Sequence, residues 1–297
     1  MFHLAAKMSD APKPMSKLRA LLVLGRVSNV PTIWSNCLAG WLLGGDGDWP
    51  VFGWLCLGAT LVYLGGMYLN DAFDAGFDRE FRRERPIPSG AIDPAIVWTL
   101  GLLWLLGGCA VLAIVVGAPL LLVLLLVTTV LVYDAVHKVI AFAPLLMAAC
   151  RFFLYLIAAA TGGFGVTGIA VWAGGVLAAY IVGLGHLARR ESTGTAFDCA
   201  PLALLAAPVV LAVVVNNDEF RASGLVLSFL TGGWILLSLR HTLTNPQPDI
   251  GRSVGALLAG IPLIDLLAIG WQTPELAAAF LGLFGAALLA QRFVPAT

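Results

Sequence analysis

Stretches of about 20 mostly apolar residues recur from Ala20 nearly to the end of the chain, each long enough for one helix to cross the hydrocarbon core of a bilayer. Hydrocarbon offers no water to satisfy a backbone N–H or C=O, so such stretches must be helices or must close into a barrel. A barrel would need short segments of alternating polarity, and the sequence has none. The expected fold is therefore an all-α, polytopic membrane helical bundle. Composition agrees, since only 11% of the 297 residues are charged where a soluble domain has about a quarter. A net charge of zero gives no electrostatic footprint for nucleic acid. The five cysteines, Cys37, Cys56, Cys109, Cys150 and Cys199, lack metal or redox spacing and read as small core residues.

Residues 1–19 are polar, carry Lys7, Lys13 and Lys17, and lead into no short apolar segment with a cleavage site. They read as a cytosolic leader, followed by a single transmembrane domain over residues 20–293. Apolar runs and their breaks place spans near 20–44, 51–72, 94–116, 118–136, 142–161, 169–188, 199–216, 222–240, 253–270 and 274–291. About nine or ten transmembrane helices are thus expected. One side receives the leader, the break near 79–85, Lys138, Arg189, Arg190, Arg240, Arg252 and Arg292. The other receives Arg221 beside Asp46, Asp48, Asp218, Glu219 and Glu275. Basic residues gather on the cytosolic side, so both termini and the basic loops are expected there. Trp34, Trp54 and Trp98 read as interfacial or packing aromatics, and His137 and His186 as satisfied interfacial residues.

The segment after the second span is Asn70-Asp71-Ala72-Phe73-Asp74-Ala75-Gly76-Phe77-Asp78. On a helix, Asp71, Asp74 and Asp78 lie at i, i+3 and i+7, and Asn70 joins them one turn before Asp74. Three carboxylates on one face repel each other unless cations neutralise them. Mg²⁺ prefers hard oxygen ligands and bridges a few carboxylates to phosphate oxygens, so a diphosphate is a natural third party. A solvated helix end could carry the same acidic run. The basic segment that follows runs from Arg79 to Gly90 and ends Arg85-Pro86-Ile87-Pro88-Ser89-Gly90.

The N-D-x-x-D-x-x-x-D run followed by R-P-I-P-S-G resembles the first signature of the UbiA superfamily of intramembrane prenyltransferases. The likeness covers most of the chain. Arg26-Val27-Ser28-Asn29 resembles an early R-x-x-N element, and Tyr133 to Lys138 resembles Y-x-x-x-x-K after the fourth span. In the catalytic members a second Asp-rich motif follows the sixth span. Here the corresponding stretch runs from Tyr180 to Ser192, with Ile181 and Ala188 where its carboxylates are expected. Glu191 remains as an acidic candidate, and Asp198 lies one or two turns later. The Arg-x-Glu of Arg189 to Glu191 is similar to the divergent EboC-like branch. So are Tyr133-Asp134-Ala135, the pair Cys150-Arg151, and Asn245-Pro246 with Asp249-Ile250 and Arg252.

The resemblance implies a Mg²⁺-dependent transferase that moves an isoprenoid from an allylic prenyl diphosphate to a lipophilic or aromatic acceptor within the bilayer. Asp71, Asp74 and Asp78 would bind the metal and, with Arg189 and Glu191, form the catalytic set. Asn29, Asn70, Tyr133, Lys138 and Arg151 would contact substrate. An arginine fork can replace part of a lost metal by holding phosphate oxygens with two hydrogen bonds and a permanent charge. Arg151 lies within a span, where a charge is expensive and usually faces a partner or cavity. Asp265 in the ninth span is its acidic counterpart, expected as a structural partner or proton carrier. Two other functions stay open: a degenerate UbiA-like protein that binds or moves a lipophilic metabolite without chemistry, and a secondary transporter. The transporter explains the stripe from Asp71 to Asp78 poorly, because coupling ions bind nearer the midplane.

Overall fold

A computed structural model describes residues 15–193, 200–215, 221–243 and 248–296. The leader up to Pro14, Asp198, Cys199, Asp218, Glu219, Asn245 and Pro246 lie outside the described residues, as do the side chains of Arg190 and Glu191. Among the described residues every regular element is helical. In chain order they are α1 (Lys17–Leu24), α2 (Val30–Leu43), α3 (Trp49–Phe81), α4 (Pro94–Ala110), α5 (Leu120–Val136) and α6 (Ala143–Ala160). There follow α7 (Gly168–Thr193), α8 (Ala207–Val215), α9 (Arg221–Leu243), α10 (Ile250–Ala259), α11 (Ile261–Ile269) and α12 (Pro274–Gln291).

All ten apolar runs contain helix, and seven give helices long and apolar enough to cross a membrane. The other three are shorter as helices for local reasons. The first run is split, because Gly25 ends α1 and Arg26 adopts a left-handed φ of 40° before α2 begins. The fourth starts only after Pro119, leaving 17 residues. The seventh opens as a 3₁₀ helix over Ala200–Ala206. The outer faces of the long helices are apolar: Leu106 is 65% exposed, Ile114 80%, Phe229 81% and Leu236 70%. In water such faces would drive aggregation, whereas lipid tails cover them.

Two apolar clusters meet at α2 and α6. Ile33, Leu55, Leu69, Leu105, Leu126 and Ile157 fill the half built by α2 to α6. Trp41, Tyr155, Leu177, Tyr180, Leu257 and Phe280 fill the half that α7 to α12 complete. Since α2 and α6 supply residues to both, they form the partition between halves. Alongside, α3 packs on α4 through glycines spaced seven apart, Gly58 and Gly65 against Gly101 and Gly108. A Cβ at Gly65 would stand 2.6 Å from the Leu105 amide nitrogen, and one at Gly108 2.7 Å from that of Val62. Small residues let backbones approach this closely, as is common between membrane helices. Gly65→Val should therefore cost about 1–3 kcal/mol, because the obstacle is backbone and cannot rotate aside. Gly76→Ala, where a Cβ meets nothing within 4 Å, should leave the thermal midpoint of the purified protein unchanged. Equal midpoints for both variants would refute the close α3–α4 contact.

At 33 residues α3 is the longest helix, about 50 Å at 1.5 Å per residue. Its last third carries the acidic segment. Beyond Phe81 the chain turns back, because Ile87 and Ile92 bury themselves with Leu24, Tyr68, Ala72, Ala75 and Val97. Gly90, at φ 75°, makes the left-handed turn this return requires. The basic segment is thereby folded against the acidic end of α3.

Candidate active site

The helical period brings the acidic residues together as the spacing predicts. Asn70, Asp71, Asp74 and Asp78 are all buried, between 2% and 6% exposed, while Phe73, Phe77 and Glu80 on the other faces are exposed. A cation meets each aspartate. Asp71 Oδ1 lies 3.3 Å from Arg26 Nη2 and 3.1 Å from Arg85 Nη1. The same Arg85 nitrogen is 3.4 Å from Asp78 Oδ2. Asp74 Oδ1 accepts from Lys138 Nζ at 2.8 Å, and its Oδ2 is 3.4 Å from His137 Nε2. Lys138 is braced by the Phe77 ring, whose centroid is 3.8 Å from Nζ. Tyr133 stacks on His137 with ring centroids 5.1 Å apart.

Each cation reaches the face for a local reason. Arg26 occupies the left-handed break between α1 and α2, with its carbonyl accepting from the Tyr63 hydroxyl at 3.1 Å. Arg85 is delivered by the returning loop. Lys138 follows the last turn of α5, one turn after Asp134, whose Oδ1 accepts from Asn70 Nδ2 at 3.1 Å. Arg189 near the end of α7 donates to the Ile140 carbonyl in the loop that carries Lys138. It thus reaches the same end of the bundle through that loop. Asn29 Nδ2 donates to the Ala296 carbonyl at 2.9 Å, while its Oδ1 is buried without a hydrogen-bond partner.

Arg151, an expected diphosphate contact, makes its hydrogen bonds to α2. Its guanidinium donates to Asn36 Oδ1 at 2.6 Å, to the Thr32 carbonyl at 3.2 Å and to Thr32 Oγ1 at 3.0 Å, all on α2. Asn36 passes the link on, its Nδ2 donating to Asp265 Oδ2 at 2.8 Å, and Ser35 Oγ donates to the same oxygen at 2.5 Å. Arg151 and Asp265 are thus joined through one amide across α2, α6 and α11, with their hydrogen bonds made to one another's neighbours and not to the acidic face.

Among the described residues no three Asp, Glu, His or Cys side chains converge on one metal position. The three aspartates of α3 spread over two turns and are held by Arg26, Arg85, Lys138 and His137. The donor chemistry nevertheless fits Mg²⁺. The donors available are hard oxygens, Asp78 Oδ1 is buried without a partner, and Mg²⁺ commonly takes one or two carboxylates with phosphate and water completing its shell.

The profile of the UbiA prenyltransferase family matches residues 28–249. The chain belongs to that family. A curated relative, the digeranylgeranylglyceryl phosphate synthase of Methanothrix thermoacetophila, is 26% identical over 220 residues, 72% of this chain and 64% of the relative. The chain thus spans a little under two thirds of that relative's length. A solved structure described as a digeranylgeranylglyceryl phosphate synthase in membranes superposes with a TM-score of 0.57 at 16% identity. It is matched over its whole length and 91% of this chain. The apo structure of a UbiA homologue from Aeropyrum pernix K1 gives 0.60 at 19%, covering 83% of this chain and 98% of that one. At these identities the likeness to both structures is one of fold.

In this UbiA family member the sixth-span stretch is apolar where carboxylates are expected. Ile181 is 1% exposed in the second-half core and Ala188 packs against it. Tyr180 donates to the Leu257 carbonyl, and His186 Nδ1 sits 2.9 Å from the Val182 carbonyl. Four side chains gathered here were not among the expected site residues: Arg26, Arg85, His137 and Asp134. A signal existed for the last two, because Asp134, His137 and Lys138 lie at i, i+3 and i+4.

Proposed function

We propose that the chain is an intramembrane prenyltransferase that moves an isoprenoid from an allylic prenyl diphosphate to a lipophilic or aromatic acceptor. The observation that carries this reading is the paired acidic and basic face at the end of α3, in a member of a prenyltransferase family. Asp71, Asp74 and Asp78 would hold Mg²⁺, which when bound neutralises charge on the departing diphosphate. Release of those carboxylates frees Arg26, Arg85 and Lys138 to turn their N–H groups to phosphate oxygens. Arg26, Arg85 and Lys138, which pair with these carboxylates, would thereby pass from carboxylate to phosphate oxygens, so that neither set of charges is left buried and unpaired. The allylic C–O bond breaks with its electron pair leaving on the diphosphate. An acceptor nucleophile closes on the resulting cation and afterwards loses a proton. Preorganised cations stabilise the leaving group, and the apolar half around Ile33, Leu55 and Ile157 keeps water from the cation.

The deciding experiment incubates purified protein with Mg²⁺, a panel of labelled allylic diphosphates and a lipid extract of the source cell. Label moving into a lipophilic product supports the transferase. Mg²⁺-dependent binding of the diphosphate with no product in any extract favours the non-catalytic carrier, a reading that the apolar Ile181 and Ala188 keep alive.

Arg189 and Glu191 complete the proposed site from the side of α7. Arg189 anchors the Lys138 loop through Ile140, so Arg189→Lys, which keeps the charge and loses the fork, should weaken diphosphate binding about tenfold. Arg190→Lys should be silent. An equal response of both would make the pair ordinary interfacial anchors.

We place the leader, both termini and this site on the cytosolic side, in one transmembrane domain over residues 20–293. Cysteine probes near Arg83 and Arg190 should react from that side and a probe near Asp218 from the other. Opposite sides for Arg83 and Arg190 would rule out a shared site.

A further inference from the structure

The acidic face holds four carboxylates, not three. Asp134 on α5 is 3% exposed, and the Asn70 bond ties its Oδ1 to the same face as Asp74. Its Oδ2 is buried with no hydrogen-bond partner, as is Asp78 Oδ1. Against Asp71, Asp74, Asp78 and Asp134 stand three permanent cations, Arg26, Arg85 and Lys138. None of the ion pairs among the described residues involves Asp134. With Asp134 ionised and His137 neutral the cluster is one positive charge short, and its unpartnered oxygens belong to Asp78 and Asp134, the two least exposed of the four carboxylates. A buried carboxylate oxygen without a donor costs several kcal/mol unless an ion or a proton answers it. The shortfall coincides with a second absence, that of carboxylates on α7 at Ile181 and Ala188.

We propose that Asp134 is a divalent-cation ligand that replaces, from α5, the carboxylates absent from α7 at Ile181 and Ala188, with Asn70 as the residue that aims it. This rests on the prenyltransferase reading above. The hard oxygen of Asp134 suits Mg²⁺, and a side-chain amide fixing a carboxylate ligand is the usual outer-shell arrangement. One helix turn separates Asp134 from Lys138, so the same stretch of α5 offers a metal ligand and a phosphate-binding cation side by side. A proton on Asp134, or a charged His137 beside Asp74, would answer the missing charge without any metal, and the test separates these cases.

Mn²⁺ serves as the probe. Free Mn²⁺ is titrated by electron paramagnetic resonance against the purified full chain, with and without methylenediphosphonate as a non-hydrolysable diphosphate. Asp134→Asn keeps the volume and an acceptor for Asn70. It should weaken Mn²⁺ binding at least about tenfold, or remove one bound ion, while the thermal midpoint stays at or above the parent's. Asn70→Ala should give a smaller loss in the same direction. Asp134→Glu, which keeps the charge but shifts it by one methylene, serves if the asparagine variant does not fold, and should also change Mn²⁺ affinity. Unchanged Mn²⁺ affinity and stoichiometry in Asp134→Asn, with Asp74→Asn impaired, overturns the assignment of Asp134 alone. A parent chain that binds no Mn²⁺ under either condition overturns both this and the prenyltransferase reading.

Discussion

Asp74→Ala is expected to abolish Mg²⁺-dependent binding of a prenyl diphosphate, a loss of about 100-fold or more, while the protein still inserts and purifies. Both carboxylate oxygens of Asp74 are engaged, Oδ1 with Lys138 and Oδ2 with His137, so the side chain fixes two basic groups as well as the proposed metal. Mutating residues that merely support a metal ligand commonly costs 10- to 100-fold. Removing a ligand that also positions Lys138 should cost at least the upper figure. Glu80→Ala is the control, because Glu80 lies exposed and off the buried acidic stripe, nearly two turns further along α3. The measurement is retention of a labelled diphosphate with Mg²⁺ and with EDTA. Equal retention in the two conditions by the parent protein would transfer the whole role to Arg26, Arg85 and Lys138 as a metal-free anion site.

The second large effect lies away from that face. Asn36→Leu should destabilise the bundle by about 3–5 kcal/mol, since one fully buried amide serves Arg151 and Asp265 together. Its loss removes a hydrogen bond from the half-buried Arg151 and another from the buried Asp265, each bond to an ionisable group worth roughly 1.5–3 kcal/mol. Reversible unfolding in mixed detergent and denaturing surfactant reads the change. Adding Arg151→Met and Asp265→Leu should restore much of the lost stability, because a buried pair replaced by apolar side chains no longer needs solvation. Such recovery is the non-additivity expected of residues in one network. A loss under about 0.5 kcal/mol for the single variant would show that Thr32 and Ser35 suffice. Arg151→Met by itself should leave diphosphate binding within a few-fold of the parent. A collapse of binding there would restore the direct substrate contact that the sequence motif implied.

What could be read in advance depended on how local the cause was. The shared face of Asp71, Asp74 and Asp78 follows from helix period, and it appears as expected. Each apolar run marked out in the sequence likewise contains helix, although only seven of those helices are long enough to cross a membrane. Arg85 could not be placed, because its approach to Asp71 depends on Ile87 and Ile92 finding a pocket beneath the loop. Asn29 finds the Ala296 carbonyl across 267 positions of chain, a contact without any local signal. Arg151 and Asp265 were each conspicuous as charges within spans. The amide joining them was not, since an asparagine in an apolar run draws little notice. The break at Arg26 was signalled by Gly25 and Pro31, yet the continuous hydrophobicity around them masked it.

The length of α3 bears on how any amphiphile reaches the site. The stretch of the helix from Trp49 to Leu69, about 30 Å, precedes Asn70, so the charged face would begin where a hydrocarbon layer of ordinary thickness ends. A ligand with a polar head and a long tail could then arrive by lateral diffusion, its head already at the right depth. The governing concentration would be mole fraction within the leaflet, not molarity in water. Detergent added at fixed ligand would act as a diluent, and half-saturation should rise in proportion to micellar surface. Assays that vary ligand without holding the ligand-to-detergent ratio would mistake that dilution for weak binding.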